Sequence, residues 1–194
     1  MRRLSLYLVL VVFSACGTAD QSVKPEKNPS SLLSPGADSD AFNRSFSQLL
    51  TDYYSLKEDF IAENDTLSLN NTARAMVVSA DSLAFGELKA DSSLIETAKT
   101  YSMGISAELK GLTGENTMDG KRKSFQILSE QLFDLTRTLQ YRGGVIYHMY
   151  CAEAFSDQGA NWLSNTREIR NPYIPKKQLN CGSVMDSIDF RQKK

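Results

Sequence analysis

Residues 42–60 read FNRSFSQLLTDYYSLKEDF. Their apolar positions Phe42, Phe46, Leu49, Leu50, Tyr53, Leu56 and Phe60 recur at steps that keep one face of a 3.6-residue helix. The polar residues between them fill the other face, as expected of a helix packed against partners on one side only. Asp38 to Asp40 offers an N-terminal cap. One such helix cannot bury its stripe alone, so the reading of the chain turns on whether matching stripes follow.

Three follow. After Asn64, Asp65 and Thr66, the stripe Leu69, Ala73, Met76, Val77, Ala80, Leu83 and Ala84 predicts a second helix ending near Gly86, with small residues that permit close approach. A third runs from about Ser92 through Leu94, Ala98, Tyr101, Ile105, Leu109 and Leu112 and stops among Gly111 and Gly114. A fourth starts near Thr117 and carries Phe125, Leu128, Leu132, Leu135 and Leu139. Short connections between helices of about 20 residues favour an antiparallel up-and-down bundle, with the main core in residues 41–141.

On the N-terminal side, Arg2 and Arg3 precede an apolar run from Leu4 to Phe13, and the small residues Ser14 and Ala15 stand before Cys16. This is the layout of an export signal with a lipobox, in which the thiol of Cys16 is acylated and the peptide is cut before it. Residues 1–15 are therefore expected to be a lipoprotein signal peptide. Residues 16–40, rich in Ser, Pro, Asp and Lys, are expected to be a flexible tether to a single helical domain spanning 41–190. The net charge of −1 counts Arg2 and Arg3, so cleavage leaves the chain more acidic, which argues against nucleic acid as a partner.

On the C-terminal side, Gly143 and Gly144 end the helical pattern. Val145 to Tyr150 is β-prone, and Ala160 to Leu163 is a second apolar piece beyond the turn-rich Ser156 to Gly159, which predicts a small hairpin. Asn171, Pro172 and Pro175 preclude a long helix after it, and a last short helix is expected from Ser183 to Phe190. The fold class is thus mainly α: a four-helix bundle with a small C-terminal β-hairpin and an irregular Cys-containing segment.

The stretch from Tyr147 to Cys181 holds the only His, the only Trp and two of the three Cys. With Cys16 acylated, Cys151 and Cys181 remain as a pair in an oxidising compartment, and a disulfide closing about 30 residues would contribute roughly 3–4 kcal/mol. The same residues offer a second reading. Cys151 and Cys181, with His148, Met149 or Met185 nearby, are soft donors suited to Cu(I) or a similar ion, although no compact C-x-x-C spacing accompanies them. A third reading leaves two free, packed thiols. Trp162 is expected to plug the core between hairpin and bundle, and Arg167, Glu168 and Arg170 are expected to form ion pairs at or near the surface. No Gly-x-Ser-x-Gly elbow or phosphate loop is present, and a single His leaves few general-base arrangements, so no enzyme is expected.

Three stretches together resemble a domain family of unknown function, number 3347 in its series: Tyr54 to Phe60 (YSLKEDF), Arg122 to Leu132 (RKSFQILSEQL), and Trp162 to Ser164 with Glu168 to Tyr173 (EIRNPY) and Leu179 to Gly182 (LNCG). The resemblance covers about residues 45–188. Trp162, Glu168, Arg170, Asn171, Pro172 and Tyr173 are expected to be structural. The resemblance implies an exported, envelope-facing helical domain of a bacterium, found in lipoproteins and beside heavy-metal efflux proteins, with a role in copper or other heavy-metal handling. The family usually has Pro-Met after its first Cys and Met where this chain has Gln178, whereas here Ala152 and Glu153 follow Cys151. The expected function is a membrane-tethered binding or accessory module with a degenerate soft-metal site, partnered by the membrane through its lipid and by an envelope protein or metal efflux component. The alternative is a structural or interaction lipoprotein with a Cys151–Cys181 disulfide and no metal role.

Overall fold

A computed structural model describes residues 39–191. The expected signal peptide, Cys16 and all but the end of the expected tether lie outside the described residues. Four long helices follow one another: α1 (Asp40–Ala62), α2 (Thr66–Asp81), α3 (Ser92–Gly114) and α4 (Met118–Leu139). Each starts on a side chain that accepts one of the otherwise unpaired N–H groups of the first turn. Ser39 Oγ accepts from Phe42 N, Asp65 Oδ1 from Ser68 N, Asp91 Oδ1 from Ser93 N, and Thr117 Oγ1 from Gly120 N, at 2.8–3.1 Å. Helices α1 and α4 end on Glu63 and Gln140 in the left-handed conformation.

The helices pack in chain order, α1 on α2, α2 on α3 and α3 on α4, and the apolar stripes meet in one core. Aromatic rings join α1 to α4: Tyr53 stacks on Phe125 with centroids 5.1 Å apart, and Phe60 lies 5.0 Å from the same ring. Two polar side chains drawn deep into this core, Tyr53 and Lys121, are paired. Tyr53 Oη lies 2.7 Å from Ser129 Oγ, and the buried Lys121 ammonium donates to the Leu112 carbonyl at 2.7 Å and to Asn70 Oδ1 at 2.9 Å. Loss of water around it holds the Lys121 pKa below its ordinary value. Among the described residues no helix is long and apolar enough to cross a membrane.

Two boundaries differ from the sequence expectation. Helix α2 ends at Asp81, and the chain turns so that Leu83 reaches the core from a loop instead of from the helical stripe. The helix expected from Ser183 to Phe190 is a strand. After β1 (Ile146–Cys151) and β2 (Ala160–Ser164), β3 (Ser183–Ile188) joins the opposite edge, giving an antiparallel sheet of order β2-β1-β3 in place of a lone hairpin. The spacing of Val184 and Ile188 suits a helix as well as a strand, and the deciding contacts come from β1, far away in sequence. The register skips Met185, pairing His148 with Asp186 and Met149 with Val184, so β3 carries a bulge there. On its other edge β1 pairs His148 with Leu163 and Met149 with Trp162.

Candidate functional site

The sheet is fastened to the bundle by polar groups that the bundle supplies. Strand β2 lies along α4, where Asn161 N donates to Gln126 Oε1 at 2.6 Å and Leu163 N donates to Tyr53 Oη at 2.9 Å. These contacts explain why two hydrophilic side chains sit at the inner edge of otherwise apolar helix faces. Burial, the dominant effect, raises the Tyr53 pKa above its ordinary value despite those hydrogen bonds.

The segment from Asn165 to Gly182 folds back over the sheet, and Asn171 organises it. Its buried amide donates to the Cys181 carbonyl at 3.0 Å, while Oδ1 accepts from Tyr173 N at 2.7 Å and Ile174 N at 3.2 Å. Its backbone N–H reaches the Leu179 carbonyl at 2.7 Å. Pro172 has no N–H to place, and its carbonyl accepts from Arg122 Nε at 3.0 Å. Arg122 also pairs with Glu63 at 3.3 Å, and Lys176 reaches the same carboxylate. The hydrogen bond from Lys176, followed by that from Arg122, holds the Glu63 carboxyl below its ordinary range.

Arg170 pairs with Glu58 of α1, and Tyr173 Oη donates to the Asn161 carbonyl. Trp162 is fully buried, with its ring edge-to-face against Tyr173 at 6.1 Å. It packs beneath the returning segment: a Cβ at Gly182 would come within 2.7 Å of its ring. Glu168 is exposed, and Arg167 lies over the Tyr147 ring at 5.2 Å. The stretches YSLKEDF, RKSFQILSEQL and EIRNPY, distant in sequence, thus meet at one junction. Glu63, Arg122 and Gln126 belong to that junction, and sequence reasoning did not single them out, because a charged residue beside a helix stripe looks the same whether it faces water or a returning loop.

Cys151 and Cys181 form a disulfide, with Cα atoms 5.6 Å apart. This settles the choice left open between disulfide, metal ligands and free thiols in favour of the first for the oxidised chain. Neither sulfur then carries the thiolate a soft ion requires. The other two candidate ligands diverge. Met149 is fully buried opposite Trp162, whereas His148, its neighbour on the strand, points to the other face and stacks on Phe133 with centroids 4.1 Å apart. Met185 is exposed. Among the described residues no group of three or more His, Cys, Asp and Glu is arranged to hold a metal ion. The donor set does not fit Cu(I) while the disulfide is closed.

Beside the disulfide lies a cleft of about 510 Å³. The first turns of α4 give it Asp119 and Lys123, the turn after β1 gives Glu153 and Asp157, and the one-turn segment Pro175–Gln178 gives Lys177 and Gln178. Phe155 and Tyr173, with ring centroids 5.2 Å apart, provide its apolar surface. The turn after β1 is unusual: Phe155, Ser156 and Asp157 have φ of 53°, 58° and 66°. Three consecutive non-glycine residues in the left-handed region are costly. Gly159, at φ 80°, completes the turn, and Tyr150 lies so close that a Cβ there would meet its hydroxyl at 2.2 Å. Glu153 and Gln178, two of the positions at which the chain departs from its resembled family, both line this cleft.

Fold and site together define a helical bundle domain carrying a disulfide-locked sheet and a polar cleft. Residues 49–142 match the family model described as Protein of unknown function (DUF3347), which supports the family resemblance. The match runs from within α1 to just beyond α4 and stops before the sheet and its disulfide. No curated protein and no solved structure matches the chain.

Proposed function

We propose that the chain is an exported, lipid-anchored binding or accessory module of a bacterial cell envelope, and not an enzyme. The observation that carries this reading is the Cys151–Cys181 disulfide, because such bonds persist in oxidising compartments outside the cytoplasm. The charged, apolar and small-residue order before Cys16 supports the same destination. The bundle then serves as a rigid support, and the surface beside the disulfide is the part that meets a ligand or an envelope partner. Copper handling, which the family resemblance implies, falls to the reduced chain alone, since the oxidised pair has no thiolate to offer.

Membrane fractionation and thiol chemistry test the reading together. Cys16→Ser is expected to release the protein from membranes into a soluble fraction; a variant that stays membrane-bound with no unprocessed form present would overturn the lipid anchor. The protein purified in air is expected to show no titratable thiol at Cys151 or Cys181 and no stoichiometric Cu(I). Two reactive thiols and one tightly held Cu(I), lost together in Cys151→Ser, would replace this reading with a metal-binding one.

A further inference from the structure

We infer that the cleft beside the disulfide binds a small zwitterion, an amino acid or short peptide carrying both a free ammonium and a free carboxylate. The inference rests on the binding-module reading and gives it a ligand class. Asp119, Glu153 and Asp157 line the cleft together with Lys123 and Lys177, yet none of these five side chains forms an ion pair within the described residues. Asp119 and Lys123, one turn apart on α4, are placed to reach each other, yet all five groups line the cleft without closing on a neighbour.

Asp119 and Lys123 ride on α4. Lys177 sits in a turn whose N–H groups at Lys177 and Gln178 bond the Ile174 carbonyl at 3.1 and 2.8 Å. Glu153 precedes the left-handed turn and Asp157 is its last non-glycine left-handed residue; the turn is closed by Gly159 N on the Ala154 carbonyl at 3.0 Å and anchored immediately upstream by the disulfide at Cys151. Strain of this kind persists where the surroundings over-determine it, and it gathers at ligand clamps. The charge pattern selects the ligand. A dication meets two lysines beside its carboxylate partners and a dianion meets three carboxylates beside its lysine partners, whereas a molecule with one group of each sign pairs both and can lay an apolar side chain on Phe155 and Tyr173.

Trp162, the only tryptophan, touches Tyr173 of the cleft edge-to-face and serves as a reporter. The full chain in detergent is titrated with Gly-Gly-Phe, with the same peptide acetylated and amidated at its ends, with putrescine and with glutarate, following tryptophan fluorescence and, independently, calorimetric heat. Saturable binding of free Gly-Gly-Phe is expected, with the blocked peptide, the diamine and the dicarboxylate all weaker. Lys177→Gln and Asp157→Asn, both at exposed positions, are expected to weaken binding about two- to fivefold each with unchanged far-ultraviolet circular dichroism. No saturation by free Gly-Gly-Phe in either measurement, equal binding of the blocked peptide, or full affinity in the double variant would overturn the inference. If it fails while the closed disulfide and the Cys16-dependent membrane attachment hold, only the ligand class falls.

Discussion

Asn171 shows how much one side chain can organise. A loop that crosses a sheet must satisfy its backbone groups without a ladder of its own, and this amide serves two N–H groups and one carbonyl at once. Asn171→Ala would leave those groups buried without partners and is expected to cost about 2–4 kcal/mol, read as a fall in urea midpoint; a change under half a kcal/mol would show that the loop is held elsewhere.

His148 makes a second prediction at this scale. Burial, the largest influence, lowers its pKa, with Arg137 adding to the effect while Asp186, Glu130 and Asp134 oppose it. A histidine whose folded pKa lies below its unfolded value of about 6.5 favours the fold while neutral. Its contribution is complete above that value and is lost as pH falls through it toward the lowered folded value. Unfolding midpoints compared at pH 7.5 and 5.5 should therefore drop more for the native chain than for His148→Gln, and parallel drops would show that the histidine is not linked to folding. From sequence alone these residues were legible as polar positions in an apolar stretch, but their partners were not, because each partner is supplied by a remote segment.

Among the elements, the helices were readable and the sheet was only half so. Each helix carries its own period and its own cap, so local sequence decides it; Leu69, Leu109 and Leu132 are as buried as their stripes require. Leu132→Ala is expected to cost about 2–5 kcal/mol, and a loss below half a kcal/mol in chemical unfolding would place that face outside the core. Strand β3 escapes a local reading because its alternation is weak: Ser183, Met185, Asp186 and Ser187 are all exposed and only Ile188 is buried. Its identity comes from pairing with β1, a partner that no local window contains. The disulfide was one of several readings for the same reason. Two cysteines 30 residues apart become a bond only when the fold brings them together.

Taken whole, the molecule is a bundle made of neighbouring contacts with a sheet made of distant ones. The bundle should survive loss of the disulfide, whereas the returning segment should not stay in place. Cys151→Ser with Cys181→Ser is accordingly expected to cost about 3–4 kcal/mol and to expose Trp162, shifting its emission to the red, while most of the helical circular dichroism remains. A variant that keeps a buried Trp162 would mean that Asn171, Arg122 and Tyr173 hold the segment unaided.

The sheet order β2-β1-β3 also has a temporal meaning. Its central strand is made first, but one of its two neighbours appears only after the whole returning segment. A chain emerging amino end first can finish α1 to α4 from contacts close in sequence, the kind that form fastest. For an interval β1 then has a bare flank and Cys151 an unclaimed thiol, open to strangers or to a thiol oxidant. Refolding from the reduced, unfolded state should accordingly run in two stages, helical signal first and tryptophan burial later, with the second stage alone quickened by an oxidised glutathione buffer. Simultaneous recovery of both signals would show that the sheet nucleates with the bundle.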